Sequence, residues 1–261
     1  MSTTTPTDTV NALVTALFRG FDVDAAAPYL APDYIQHNPA IPDRAEGLLS
    51  LLPAAEESGL TVETHRVIAE GELVVLHNTF RNAHLFGAET LVSFDVFRVR
   101  DGKAVEHWDN LQAPPATTAS GRSMTDGPTT PTDLDRTAEN KALVAGFIDE
   151  VFIGGRLEVA ADYITAEPGA YHQHNPLVPD GLDAVGAAFA ALAEAGQGFT
   201  FHTRHQTVAQ GDLVFTMTEG HMGEVPTAFF DLWRVADGKI VEHWDVIESI
   251  PADMVHGNGK F

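Results

Sequence analysis

Phe94-Asp-Val-Phe-Arg-Val99, followed by Asp101-Gly-Lys-Ala-Val-Glu-His-Trp-Asp109, occurs again as Phe230-Asp-Leu-Trp-Arg-Val235, followed by Asp237-Gly-Lys-Ile-Val-Glu-His-Trp-Asp245, 136 positions later. Upstream, Tyr34-Ile-Gln-His-Asn-Pro39 with Pro42-Asp43 returns as Tyr171-His-Gln-His-Asn-Pro176 with Pro179-Asp180, 137 positions later. The offset hardly drifts across a copy. One domain has been duplicated in tandem, and the period is far too long for a solenoid. Within each copy the two apolar runs flank an Asp-Gly pair, the pattern of a hairpin closed by a tight primed turn.

Further strand-like runs precede this hairpin, giving 61–69, 72–80, 89–100 and 103–112 in the first copy and 199–209, 212–221, 226–236 and 239–248 in the second. Helical patterns come earlier still. Asp8 is a candidate cap for a helix whose Val10, Leu13, Val14, Leu17 and Phe18 form one stripe. A short helical segment is expected around 24–30 and an amphipathic helix over about 44–57, with 137–152, 156–165 and 182–195 in the same places of copy two. Asn38 precedes a proline and is pushed away from α geometry, so Gln-His-Asn-Pro is expected in a loop after a helix. Helices gathered before an antiparallel meander define an α+β domain, its sheet curved over the helices. The expected boundaries are domain 1 at 8–112, a Pro/Thr/Ser/Gly-rich linker at 113–136, and domain 2 at 137–250. Residues 1–7 and 254–261 are expected to be loose tails.

The 261 residues suit two domains that each bury a core. With no cysteine, thiol catalysis, disulfides and Cys-zinc sites are excluded. A net charge of −22 repels phosphate backbones and argues against a nucleic-acid partner. No basic-then-apolar leader and no run of membrane-spanning length is visible, so no membrane partner and a cytoplasmic location are expected.

The phrases Tyr-Ile-Gln-His-Asn-Pro, Gly71-Glu-Leu-Val-Val-Leu-His77, Phe-Asp-Val-Phe-Arg and Asp-Gly-Lys-Ala-Val-Glu-His-Trp-Asp resemble the SnoaL-like polyketide cyclase family, within the nuclear transport factor two-like superfamily. The subgroup most similar is that of predicted SnoaL-like aldol-condensation enzymes. The resemblance implies two cone-shaped domains, each with N-terminal helices on a curved, mainly antiparallel sheet around an apolar pocket. It also implies pairing of the two copies within the chain as a pseudo-dimer, and chemistry without a cofactor or metal.

Candidate site residues follow from strand alternation. Asp95 shares a face with Leu91, Ser93, Phe97 and Val99, and Asp231 with Phe229, Trp233 and Val235. A carboxylate in such surroundings loses solvation and its pKa rises, as a general acid/base requires. The resemblance assigns the proton-shuttling role to this aspartate. His37 and His174 in the Gln-His-Asn-Pro motif are candidate catalytic groups, with Gln36 and Gln173 orienting a substrate carbonyl. His77, on an otherwise apolar face, is expected to partner Asp95, while Met217 stands in its place in copy two. Phe97, Trp233, His107 and His243 are candidate substrate contacts. His107 and Asp109 face one way and Trp108 the other, and periodicity leaves open which side is the pocket. Histidines at i, i+2 spacing form no compact metal signature. The expected activity is a cofactor-independent, aldol-type cyclisation of a small apolar carbonyl compound. Dehydration or isomerisation in the same pocket, and a non-catalytic module that binds an apolar metabolite, are the alternatives.

Overall fold

The structure, a computed structural model, describes residues 4–261. It divides into two compact units, one running up to Ala113 and including Pro251–Phe261, the other spanning Pro114–Ile250. Each is an α+β domain built on one five-stranded mixed sheet, and the two repeat the same architecture.

In the first unit, β2 (Thr61–Glu70), β3 (Leu73–Arg81), β4 (Thr90–Arg100) and β5 (Lys103–Gln112) form an antiparallel meander. Asp101 and Gly102 both have positive φ, 50° and 73°, and so do Asp237 and Gly238, at 51° and 73°. This is the primed turn that Asp-Gly favours, and its twist matches the strands it joins. A fifth strand, β1 (Leu30–Gln36), lies parallel to β5 with Gln36 opposite His107. The Gln-His-Asn-Pro motif thus ends a strand, rather than sitting in a loop after a helix. The parallel pairing brings it beside the last strand despite the long sequence gap.

Helix α1 (Pro6–Thr15) starts three residues before the expected start and is capped by Thr5, not Asp8. Thr5 and Asp8 form a reciprocal capping box, with Asp8 at the third helical position. Only residues 1–3 of the expected N-terminal tail lie outside the described residues. Val10, Leu13 and Leu17 are buried against Val74, Leu76, Phe97 and Val99 of the sheet, each contributing roughly 2 kcal/mol of apolar burial. After the short α2 (Val23–Ala26), the expected helix over 44–57 is split into α3 (Arg44–Leu49) and α4 (Leu52–Ser58), with Pro53 in the first turn of the latter.

The second unit repeats this plan with β6 (His172–Gln173), β7 (Phe199–Gln210), β8 (Leu213–Met222), β9 (Val225–Ala236) and β10 (Lys239–Ser249), ordered β6-β10-β9-β8-β7. Its helices are α5 (Thr137–Phe147), α6 (Ala160–Tyr163) and α7 (Leu182–Glu194). Among the described residues no helix is long and apolar enough to cross a membrane.

Candidate active site

Gln173 organises the second domain's site. Its Oε1 accepts the backbone N–H of His174 and of Asn175, each at 2.9 Å. The oxygen is therefore unambiguous, and His243 Nδ1, 2.9 Å away, must donate to it. That fixes the tautomer. In the neutral ring the lone pair is on Nε2, which faces Asp231 Oδ1 at 3.0 Å. One proton joins the aspartate and the histidine. Asp245 stands directly across the ladder from Asp231, with its Oδ2 accepting from Asn175 Nδ2 at 2.6 Å.

Burial governs the protonation of this group. It pushes Asp231 well above the usual carboxylate range and His243 down to about 4. It also raises Asp245 to about 6, against the hydrogen bond from Asn175. At rest the proton therefore sits on Asp231, and the pair is neutral. Asp231 Oδ2 and Asp245 Oδ1 are buried without a hydrogen-bond partner. Asp231, His243 and Asp245 bring three donor atoms within 4.8 Å of one another, close enough to share a cation. The 3.0 Å contact between Asp231 and the bare histidine nitrogen is already satisfied by a proton.

These residues lie in the wall of a cavity of about 780 Å³, in the size range of small-molecule sites, lined by Phe152, Phe189, Phe201, Phe229 and Trp233. The Trp233 ring stacks on His243 at 3.9 Å. The helix on this side, α7, is Leu-Asp-Ala-Val-Gly-Ala-Ala-Phe-Ala-Ala-Leu-Ala-Glu, and in it only Val185 is buried. Its small side chains leave the space open.

A family model described as the SnoaL-like domain matches residues 10–107 and again 144–243. The chain belongs to the SnoaL-like domain family. Similar solved structures each cover about one repeat. They include TsrD from Streptomyces laurentii, 21% identical over 41% of this chain and 87% of that one, with TM-score 0.36. IdmH, a candidate polyketide cyclase from Streptomyces antibioticus, is 23% identical over 41% and 91%, TM-score 0.35. An NTF2-like protein of unknown function from Cytophaga hutchinsonii is 17% identical over 42% and 93%, TM-score 0.35. No curated protein is similar enough to match.

The first SnoaL-like domain has the same frame with a different interior. Gln36 Oε1 accepts from the His37 and Asn38 amides and from His107 Nδ1, and His107 Nε2 faces Asp95 Oδ1 at 3.3 Å. Asp95 Oδ2, however, accepts from Asn78 Nδ2 at 2.8 Å and Ser93 Oγ at 2.5 Å. In the second domain Thr218 and Phe229 stand at this opposed pair of positions. The cavity beside Asp95 is only about 30 Å³, closed by Phe18, Leu48, Leu51, Leu52, Phe80 and Phe86. It is lined by Phe97, His107 and Asp109 among others, so His107 and not Trp108 faces the interior.

Three predicted residues lie elsewhere. His77 is opposite Phe94 in the ladder, while Leu76 is opposite Asp95, so His77 points to the other face of the sheet. There it stacks on Phe94 at 4.3 Å and meets Arg66 Nη1 at 3.0 Å. His37 and His174 stack on Trp108 and Trp244 and bond Glu106 and Glu242, also on the face away from the aspartates. Burial opposes ionisation of Glu242, but hydrogen bonds from His174 and Arg234 outweigh it and hold its carboxyl below the usual range. Asp245 and Asn175 were missed as site residues. The signal was available: Asp245 shares a strand face with His243 and lies in the repeated phrase.

Proposed function

We propose that the second domain is the working site, a cyclase-type centre in which Asp231 moves a proton on an apolar carbonyl compound without a cofactor. One contrast carries this reading. Asp231 keeps an unpartnered oxygen in the wall of a roomy apolar cavity, whereas both oxygens of Asp95 are engaged beside a closed one.

The chemistry follows from the tautomer. Passing its proton to His243 Nε2 makes Asp231 a carboxylate beside an imidazolium, a state that an ionised Asp245 favours by its charge. Asp231 Oδ2 then takes a proton from the carbon α to the substrate carbonyl. The enolate carbon attacks a second carbonyl of the same molecule, forming a carbon–carbon bond. The new alkoxide recovers the proton from Asp231, and His243 returns its own. Electrons and protons balance within the substrate and the pair. Trp233 and the phenylalanines supply apolar contact, and Gln173 fixes the imidazole orientation.

The test is deuterium uptake. Wild-type protein in D2O should catalyse exchange at the α-carbon of members of a panel of apolar ketones and β-diketones. Asp231→Asn should lower that rate by about a hundredfold or more, while Asp95→Asn leaves it unchanged. An Asp231→Asn protein that exchanges at the wild-type rate would overturn the assignment.

A further inference from the structure

Gly259 O accepts a hydrogen bond from His37 Nδ1 at 3.0 Å, and Ser123 O accepts one from His174 Nδ1 at 2.6 Å. The two carbonyls are 136 positions apart, the offset of the repeat itself. Residues 119–125 and 255–261 are thus corresponding segments, although Gly121 and Gly257 are their only identity. Segment 255–261 follows the last strand of domain 2 but belongs to the first unit. Segment 119–125 follows the last strand of domain 1 but belongs to the second. Neither is a loose tail or a bare linker.

The other contacts correspond one by one. Val255 N donates to Pro39 O at 3.1 Å, and Ala119 N to Pro176 O at 2.9 Å. Asn258 Nδ2 donates to Asp43 Oδ1 at 2.7 Å, and Arg122 Nε to Asp180 Oδ2 at 3.0 Å. Lys260 and Met124 are both buried, and Lys260 Nζ donates to Asp109 O at 2.7 Å. His37 Nε2 meanwhile faces Glu106 Oε1 at 3.1 Å, and His174 Nε2 faces Glu242 Oε1 at 2.9 Å. Each histidine thus bridges the segment's carbonyl and the glutamate of the last strand.

We propose that the repeat encodes its own docking peptide, and that the face of each domain's sheet away from the aspartates is a peptide-binding site. The site consists of Gln-His-Asn-Pro, the aspartate six residues after the histidine, and the glutamate and tryptophan of the last strand. Its ligand is a short segment that offers a backbone N–H to the proline carbonyl, a side-chain donor to the aspartate three residues later, and a carbonyl to the histidine at the next residue. Most of this recognition is to backbone, which explains why only one glycine is shared. Each site takes the segment that follows the other copy's last strand. Through Lys260 and Asp109 O it also braces β5, the strand that carries His107 and Asp109.

A chain truncated after Asp253 has a vacant site on its first domain. The synthetic peptide Val-His-Gly-Asn-Gly-Lys-Phe should bind it one to one by calorimetry and raise its melting temperature, and should not bind the intact chain. Asp43→Ala in the truncated chain, or alanine for asparagine in the peptide, should weaken binding about tenfold or more. A folded truncated chain that ignores the peptide overturns the proposal. If truncation prevents folding, hydrogen exchange on the intact chain decides. The Val255 amide should be protected about a hundredfold or more over the free peptide, and exchange at the free-peptide rate overturns the proposal equally.

Discussion

Two aspartates at one repeated position have opposite surroundings, and that difference is measurable. Asp95 is the acceptor for Asn78 and Ser93 and faces His107, so Asp95→Ala leaves buried donors without an acceptor. The first domain should lose about 3 kcal/mol or more. Asp231 has no such donors, and in Asp231→Asn the new amide can donate to the bare His243 Nε2. The second domain should then change by less than about 1 kcal/mol, toward greater stability, because a costly buried carboxyl has been removed. Urea denaturation of the two variants checks both signs. Equal losses in both would mean that the two aspartates do the same structural work.

Among the elements, the antiparallel strands were legible because period-two alternation and Asp-Gly punctuation are local. β1 was not. Leu30-Ala-Pro-Asp-Tyr-Ile-Gln36 contains a proline and no clean alternation, and its partner β5 lies far along the chain. Face assignment along one strand placed Asp95 with Phe97, but it did not say which residue of β3 meets Asp95. That depends on register, and the register chose Leu76 over His77. Cavity size was illegible for a related reason. It rests on leucines of α3 and α4 in one domain and on the alanine-rich α7 in the other, at distances no periodicity reveals. The helix can be tested directly. A Cβ at Gly186 would meet nothing within 4 Å, so Gly186→Ala should stabilise the domain by about 0.5–1 kcal/mol through helix propensity. Ala190 lines the cavity, so Ala190→Phe should abolish uptake of an apolar fluorescent dye while leaving the melting temperature nearly unchanged. Undiminished dye uptake would show that α7 does not bound the binding space.

For the whole molecule, the two copies keep one frame and differ in their interiors. The first copy closes its interior and ties down its acid, while the second keeps buried, poorly satisfied carboxyls beside an open cavity. The protonation cost should appear in the pH dependence of the second domain's stability. Asp245 is raised from 3.8 to about 6, so between those values the folded state holds a proton that the unfolded state has released. Stability from this group is present at low pH and is lost as pH rises through about 6. His243 is lowered from 6.5 to about 4, so in that window the unfolded state binds the extra proton and stability falls as pH drops. Asp231, raised by burial, adds a slope of the same sign as that of Asp245, so two carboxyls oppose one histidine and the wild-type domain should gain a little stability from pH 6 down to 4. His243→Gln removes one slope and keeps a donor for Gln173. Its second domain should become more stable as the pH falls from 7 to about 4.5, the reverse of ordinary acid denaturation. Two of the three tryptophans, Trp233 and Trp244, lie in this domain. With Trp108→Phe as background, their fluorescence during urea unfolding reports on it alone. A variant that loses stability on acidification would show that neither Asp231 nor Asp245 holds its proton in the folded state at pH 5.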